Sequence, residues 1–330
     1  MGRENSQGKQ SQPRRGKQRR ISRGTEYMTR LFTRRAVCAA AAATLAFTAV
    51  SLPKAQAADA IKIGWPNITE QAMLGIMAAL VIEKKLGLPV ERFPNLGGTG
   101  IAQQAIISGA IDVLPDYTGD ALANVLKKDP ITDPKKAFEV VRDGYKDQYK
   151  ITWLSPTSFN NTYALALKAD KAKELNIKII SDLAPQAPKW TLGSSVEFAA
   201  RPLDGYPGMS KHYGFKFGSI KPMEIGLMYT AVDSGSVDVI VAFATDARIG
   251  KVGLAVLDDD KLFFPAYNAA ITVRDDVLAK HPEIGPAIEA VTNSLDTETQ
   301  IKLNGMADID GIDVEKVAET YLKEKGFIPK

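Results

Sequence analysis

From Ile61 to Val273, short apolar runs of strand character alternate with helical segments. That alternation restricts the folded part to an α/β architecture, with sheets covered on both faces by helices. Strands are expected at Ile61–Gly64, Val90–Phe93, Ile111–Leu114, Trp190–Gly193, Ile220–Met223 and Val237–Phe243, with parallel pairing. The last run is strongly β-branched, as suits a strand buried on both faces. A helix is expected after Trp65–Glu70, capped by Asn67 or Thr69 and stopped by Gly87. Leu96–Gly100 reads as a Gly-rich turn opening a second helix that ends near Gly109. The loop Pro115–Asp120 leads into another. Helices are also expected at Asp133–Tyr149, after a Ser194-Ser195 cap, at Ile225–Ser234, and over most of Asp275–Gly326.

Two stretches break this rhythm in the same way. In Ser158–Leu167, the polar Asn160-Asn161-Thr162 leads straight into the apolar run Tyr163–Leu167. In Phe264–Val273, Pro265-Ala266-Tyr267-Asn268 leads into Ala269–Val273. A polar linker feeding a buried strand is what a chain needs when it passes from one lobe to another. Two lobes are therefore expected, residues 58–160 with 267–330 forming the first and 161–266 the second. Hinges are expected near Phe159–Thr162 and Phe264–Asn268. Ligands of such sheets bind at the carboxyl ends of strands, so Asn160 and Asn161 would face the gap.

The first 57 residues are not expected to belong to the fold. Residues 1–27 are rich in Arg, Lys, Gln, Ser and Gly and cannot bury a core. Met28 is a candidate true start. Arg30, Arg34 and Arg35 then precede the uncharged run Ala36–Val50, and Ala55-Gln56-Ala57 follows as a small-residue cleavage signal. This is the pattern of a secretory signal peptide, with cleavage expected after Ala57. The run is too short to span a bilayer as a helix. The Arg34-Arg35 pair hints at twin-arginine export, and the general route is favoured. Periplasmic localisation follows. Residues 1–57 hold 12 Lys/Arg and 2 Asp/Glu, so their removal turns the chain's +4 into −6. The basic total therefore gives no reason to expect nucleic acid as a partner. The single cysteine, Cys38, leaves with the leader, which excludes disulfide and thiol chemistry in the exported chain. About 270 residues can be held by core burial alone, and a monomer is expected.

Enzymatic signals are missing. The two histidines, His212 and His281, sit in polar surroundings. The sequence has no HExxH, CxxC, nucleophile elbow or Walker loop, and no carboxylate cluster with metal spacing. No cofactor is implied. Gly97-Gly98-Thr99-Gly100 lacks the residues of a phosphate loop. It reads as a tight turn before a helix, whose amides could still face a ligand anion. The positive signal is aromatic. Tyr117, Tyr163, Phe243 and Tyr267 all lie at or just past expected strand ends. Each ring singly suits ordinary core packing, but together they suit a cavity. Aromatic faces around a cavity hold a quaternary ammonium, at about 0.5–2 kcal/mol per ring.

Tyr117-Thr118-Gly119, Phe159–Ala164, Glu197-Phe198 with Arg201, Thr245-Asp246 and Pro265–Asn268 together resemble the periplasmic substrate-binding proteins of osmoprotectant ABC transporters. These are the glycine betaine/choline binders of the ProX and OsmF kind in the OpuAC-type family, and the resemblance runs over residues 60–329. It implies a type II periplasmic-binding-protein fold, two α/β lobes on a two-segment hinge that close on a ligand. It implies cage rings at Tyr117, Tyr163 and Tyr267, with Phe243 where relatives carry Tyr. It places Asn161 as a polar cage residue and Arg201 as the grip on a ligand carboxylate. It implies an inner-membrane ABC permease with its ATPase as partner. Two positions depart from the pattern. Trp65-Pro66 stands where relatives often have Ser-Lys, and Asp120 where many have Thr. The anion pocket thus loses a cation and gains an acid, which leaves room for choline or another cation without an acid group. Trp65 either adds a fifth ring or packs beneath the cleft. Other readings are a binder of an amino acid or another organic cation, and a periplasmic enzyme or sensor on the same scaffold.

Overall fold

Two five-stranded sheets organise residues 60–330, the part described by the computed structural model. The strands are β1 (Ile61–Gly64), β2 (Val90–Phe93), β3 (Val113–Tyr117), β4 (Ile151–Trp153), β5 (Tyr163–Lys168), β6 (Thr191–Ser194), β7 (Ser219–Pro222), β8 (Val239–Phe243), β9 (Leu254–Val256) and β10 (Ala269–Arg274). The first sheet has the order β2-β1-β3-β10-β4 and the second β7-β6-β8-β5-β9. The leader and its cleavage site lie outside the described residues. Among the described residues, no helix is long and apolar enough to cross a membrane.

The expected all-parallel pairing is corrected. β1 pairs parallel with β2 and β3, and β6 with β7 and β8. However, β10 runs antiparallel to β3 and β4, and β5 antiparallel to β8 and β9. The reversed strands are the two that follow the crossing stretches. There the chain enters a sheet from the edge where β3 and β8 end, so it must run away from that edge. Alternation reveals the elements but not the side from which a strand is entered. The reversal puts aromatic residues together, with Tyr163 opposite Phe243 and Tyr117 opposite Ala269, two residues beyond Tyr267.

The crossing stretches lie side by side. Asn160 and Asn268 form an antiparallel bridge. The Asn161 amide donates to the Tyr267 carbonyl at 3.0 Å, and the Tyr267 amide donates to Asn160 Oδ1 at 2.7 Å. Thr162 Oγ1 donates to the Pro265 carbonyl at 3.0 Å. The polar run that looked like a linker thus satisfies its own backbone across the crossing.

Helix Thr69–Lys84 is buried along most of its length, from Glu70 through Ile82. It packs against β3 and against helices Ile284–Thr292, Thr297–Asp308 and Val314–Glu324. A helix apolar on all sides belongs in such a position, and each buried Leu, Ile or Met side chain contributes about 1.5–3 kcal/mol. Its N-cap is Ile68, with no side-chain cap, rather than Asn67 or Thr69. Thr69 is already helical, and its hydroxyl donates to Asp308 Oδ1 at 2.7 Å. Gly87 ends the segment at φ 70°. β3 runs on to Tyr117, past the expected end at Leu114, so half of the expected loop Pro115–Asp120 is strand. β4 and β9, three residues each, had no expected counterpart because runs that short carry no period.

Candidate functional site

At the edge shared by the ends of β3 and β8 and the starts of β5 and β10, a cavity of about 490 Å³ opens between the sheets. Tyr117, Tyr163, Phe243 and Tyr267 all line it, as do Asn161 and Asp120. Tyr163 is the central ring. It lies 5.3 Å from Phe243, 5.1 Å from Tyr267 and 5.0 Å from Phe198, centroid to centroid. The Tyr163–Tyr267 pair is edge-on at 77°, a geometry that aromatic quadrupoles favour. Trp65 stands outside the lining. Its ring lies so close to Gly75 that a Cβ there would sit 2.5 Å from it, which places Trp65 under the first buried helix.

One carboxylate, with no role expected from the chain alone, ties the cavity together. Glu70, in the first turn of helix Thr69–Lys84, is 3% exposed. Its Oε1 accepts from Tyr117 Oη at 2.5 Å and Asn161 Nδ2 at 2.9 Å. Its Oε2 accepts from Thr245 Oγ1 at 2.6 Å and Asn304 Nδ2 at 2.8 Å. The four donors come from the end of β3, a crossing stretch, the loop after β8 and helix Thr297–Asp308. Burial pushes the Glu70 carboxyl above its ordinary range, and the four hydrogen bonds oppose that shift. The positive end of its own helix also favours the anion. A cation in the cavity would add to that preference.

Arg201 sits behind the wall, 7% exposed, in a cluster of acids. Its Nη1 lies 2.5 Å from Asp120 Oδ1 and 3.1 Å from Asp204 Oδ2, and donates to Tyr163 Oη at 3.2 Å. Asp204 also accepts from Tyr267 Oη at 2.5 Å, so the pair fixes two of the four rings. Burial pushes the Asp120 carboxyl up to about 6 even against the Arg201 charge. At neutral pH it is therefore largely ionised and paired. The helix start at Gly98-Thr99 is occupied as well. The Thr99 amide donates to Glu197 Oε1 at 2.9 Å, and a Cβ on Gly98 would sit 2.0 Å from that oxygen. The glycine is what lets the acid approach.

Asp116 lies deeper, 1% exposed. Gln103 Nε2 donates to both its oxygens at 3.1 Å, the Tyr117 amide to Oδ1 at 2.8 Å, and Tyr145 Oη to Oδ2 at 3.4 Å. Burial first, then the Asp120 charge, push its carboxyl up to about 8. The folded protein thus holds a proton that the unfolded chain releases well below neutrality. The contribution of this group to stability is expected to fall as pH rises from about 4 to about 8, by up to about 1.4 kcal/mol per pH unit, and to level off above that. Thermal melts are expected to give a lower Tm at pH 8 than at pH 6.5, and Asp116→Asn is expected to remove that slope. A wild-type Tm that is flat over this range would contradict the assignment.

Of the residues expected at the site, Tyr117, Tyr163, Phe243, Tyr267, Asn161 and Asp120 meet at the cavity, whereas Arg201 and Trp65 stand outside its lining. Glu70, Asn304 and Asp204 carried no expectation. Glu70 had a usable signal, an acid in the first turn of a helix that follows a strand end. Asn304 had none, because its place depends on packing between distant segments, whereas Asp204 lies only three residues from Arg201.

Two α/β lobes on paired crossing segments, with a polar and aromatic cavity between them, define a type II ligand-binding protein of the periplasmic kind. A family model described as the substrate-binding domain of ABC-type glycine betaine transport systems matches residues 59–324. The chain belongs to that family. It is 36% identical over 270 residues to the carnitine transport binding protein OpuCC of Listeria monocytogenes, covering 82% of this chain and 88% of that one. It is 36% identical over 278 residues to the glycine-betaine-binding protein of Pseudomonas aeruginosa, covering 81% and 88%. A solved structure described as a glycine betaine/carnitine/choline ABC transporter superposes with a TM-score of 0.68 at 35% identity, covering 81% of this chain and 99% of that one.

Proposed function

We propose that this chain captures a small quaternary-ammonium solute in the periplasm and delivers it to an inner-membrane ABC permease, acting as a monomeric binding protein and not as an enzyme. The observation that carries this reading is the convergence of Tyr117, Tyr163, Phe243 and Tyr267 with the buried Glu70 on one cavity. A quaternary ammonium has no N–H to donate, so hydrogen-bond acceptors cannot select it. Ring faces and a nearby negative charge can. The named ligands of the relatives, carnitine and glycine betaine, both carry such a group. Asn161 supports the reading as a polar wall. Its Nδ2 holds Glu70 and its Oδ1 accepts from the Thr245 amide at 3.4 Å.

We place the lobe boundaries in the paired crossing stretches, with 58–160 and 267–330 on one side and 161–266 on the other. Asp120 with Arg201, Thr99 with Glu197 and Glu70 with Thr245 meet across that boundary, as suits lobes closed on the cavity. The exported form would begin after Ala57. Calorimetric titration with choline, glycine betaine, carnitine and proline betaine tests the ligand class. At least one of them is expected to bind at micromolar to millimolar concentration. If no trimethylammonium compound binds, the cage reading is wrong.

A further inference from the structure

A second seam joins the two sides of the cavity, and it involves none of the four rings. Helix Thr297–Asp308 faces the segment Thr245–Arg248 after β8, and three contacts cross between them. Asn304 Nδ2, which donates to Glu70 Oε2, also donates to the Thr245 carbonyl at 3.1 Å. Gly305 lies so close to Ala247 that a Cβ on the glycine would sit 3.2 Å from the alanine Cβ. Glycine inside a helix is unfavourable by itself, and this close approach accounts for it here. Arg248 Nη2 reaches Asp308 Oδ2 at 3.2 Å. Both partners of that pair are fixed from their own side. Asp246 accepts from Arg248 Nε at 2.8 Å and from Nη2 at 2.6 Å, and the guanidinium lies 4.8 Å from the centroid of the Tyr229 ring. The other Asp308 oxygen accepts from the Thr69 hydroxyl at 2.7 Å. Side chains ordered in advance lose little freedom when they meet.

We propose that this seam is a latch on the filled cavity. The Arg248–Asp308 pair, seated by the Gly305–Ala247 contact, holds the two sides together and sets how long a bound ligand stays. Arg248 is a positioning residue in this role, because it acts on the ligand through the joining of the lobes. The latch rests on the lobe boundary proposed above, which puts Arg248 within 161–266 and Asp308 within 267–330. Asn304 couples it to the cage, since one amide serves both the Glu70 carboxylate and the Thr245 carbonyl. Salt reaches this pair. Both its side chains are 18% exposed, against 8% and 9% for Arg201 and Asp120, so dissolved ions screen the latch more than the inner pair.

Stopped-flow and calorimetric measurements on the purified protein test this, with whichever of choline, glycine betaine, carnitine and proline betaine the wild type binds most tightly. Asp308→Asn removes the charge across the seam and leaves Arg248 on Asp246. It is expected to speed ligand dissociation about threefold or more, with association changed less than about twofold. Wild-type dissociation is expected to quicken between about 50 and about 500 mM NaCl, and the variant's to stay flat. Gly305→Leu sets a side chain against Ala247 while improving the helix itself. It is expected to weaken binding about tenfold or more, while the ligand-free Tm stays level or rises. A merely structural role would lower both. Asp308→Asn that releases ligand as slowly as the wild type, with the same salt dependence, overturns the latch and leaves the cage intact. So does Gly305→Leu that binds like the wild type. If Gly305→Leu fails to fold, Asp308→Asn decides alone. Failure of all four compounds to bind the wild type removes the cage reading and the latch with it.

Discussion

Glu70→Ala is expected to cost the protein about 4 kcal/mol or more of stability and to abolish measurable cation binding. The substitution leaves the Tyr117 and Thr245 hydroxyls and the Asn161 and Asn304 amides without their shared acceptor. Each unsatisfied buried donor costs about 1–3 kcal/mol, and water entering the gap returns part of the sum. All four donors line the cavity and come from different segments, so the loss also loosens the wall. Glu70→Gln keeps the shape but sets an amide donor against two of the four donors, and it removes the negative charge. It is expected to fold with lower stability and to bind the cation at least tenfold more weakly. Urea melts with and without choline check both parts. A Glu70→Ala protein that melts and titrates like the wild type would show that the carboxylate is incidental.

Tyr163→Ala is expected to weaken cation binding by roughly thirty- to a thousandfold, through the lost ring face and the collapse of its neighbours. Phe198, Phe243 and Tyr267 all pack on this ring within 5.3 Å, and Arg201 donates to its hydroxyl. The conservative change separates the two roles. Tyr163→Phe keeps the ring and loses only the 3.2 Å bond from Arg201, so it is expected to cost less than about tenfold. Phe243, opposite in the register, is already such a ring without a hydroxyl. Titration with choline reads both variants. Equal losses in Ala and Phe would mean that the hydroxyl, not the ring, carries the binding.

Much of this was legible along the chain. Val90–Phe93 is a strand within its expected bounds, and the two crossing stretches were visible as polar residues running directly into buried apolar ones. The rings could be gathered because strand ends share an edge. What the sequence could not show was direction and partnership. The reversal of β5 and β10 depends on the side from which the chain enters each sheet. The same limit explains Arg201. Its residue type suits the gripping of a carboxylate, but the structure pairs it with Asp204, three residues on, and with the distant Asp120, which nothing along the chain ties to it. Trp65 had two possible places, and the hydrogen on Gly75 makes room for the one beneath the cavity. Glu70 was in plain view beside an expected cap. Only the fold reveals that four distant donors converge on it.

The most direct test of the account is a comparison of choline with its neutral isostere, in which a carbon replaces the nitrogen. The two have nearly the same shape and differ in charge. If ring faces and Glu70 select a cation, calorimetry will give choline an affinity at least a hundredfold above that of the isostere, about 2.7 kcal/mol or more. Equal affinities would mean that the cavity holds its ligand by apolar contact alone, and the cation cage would have to be abandoned.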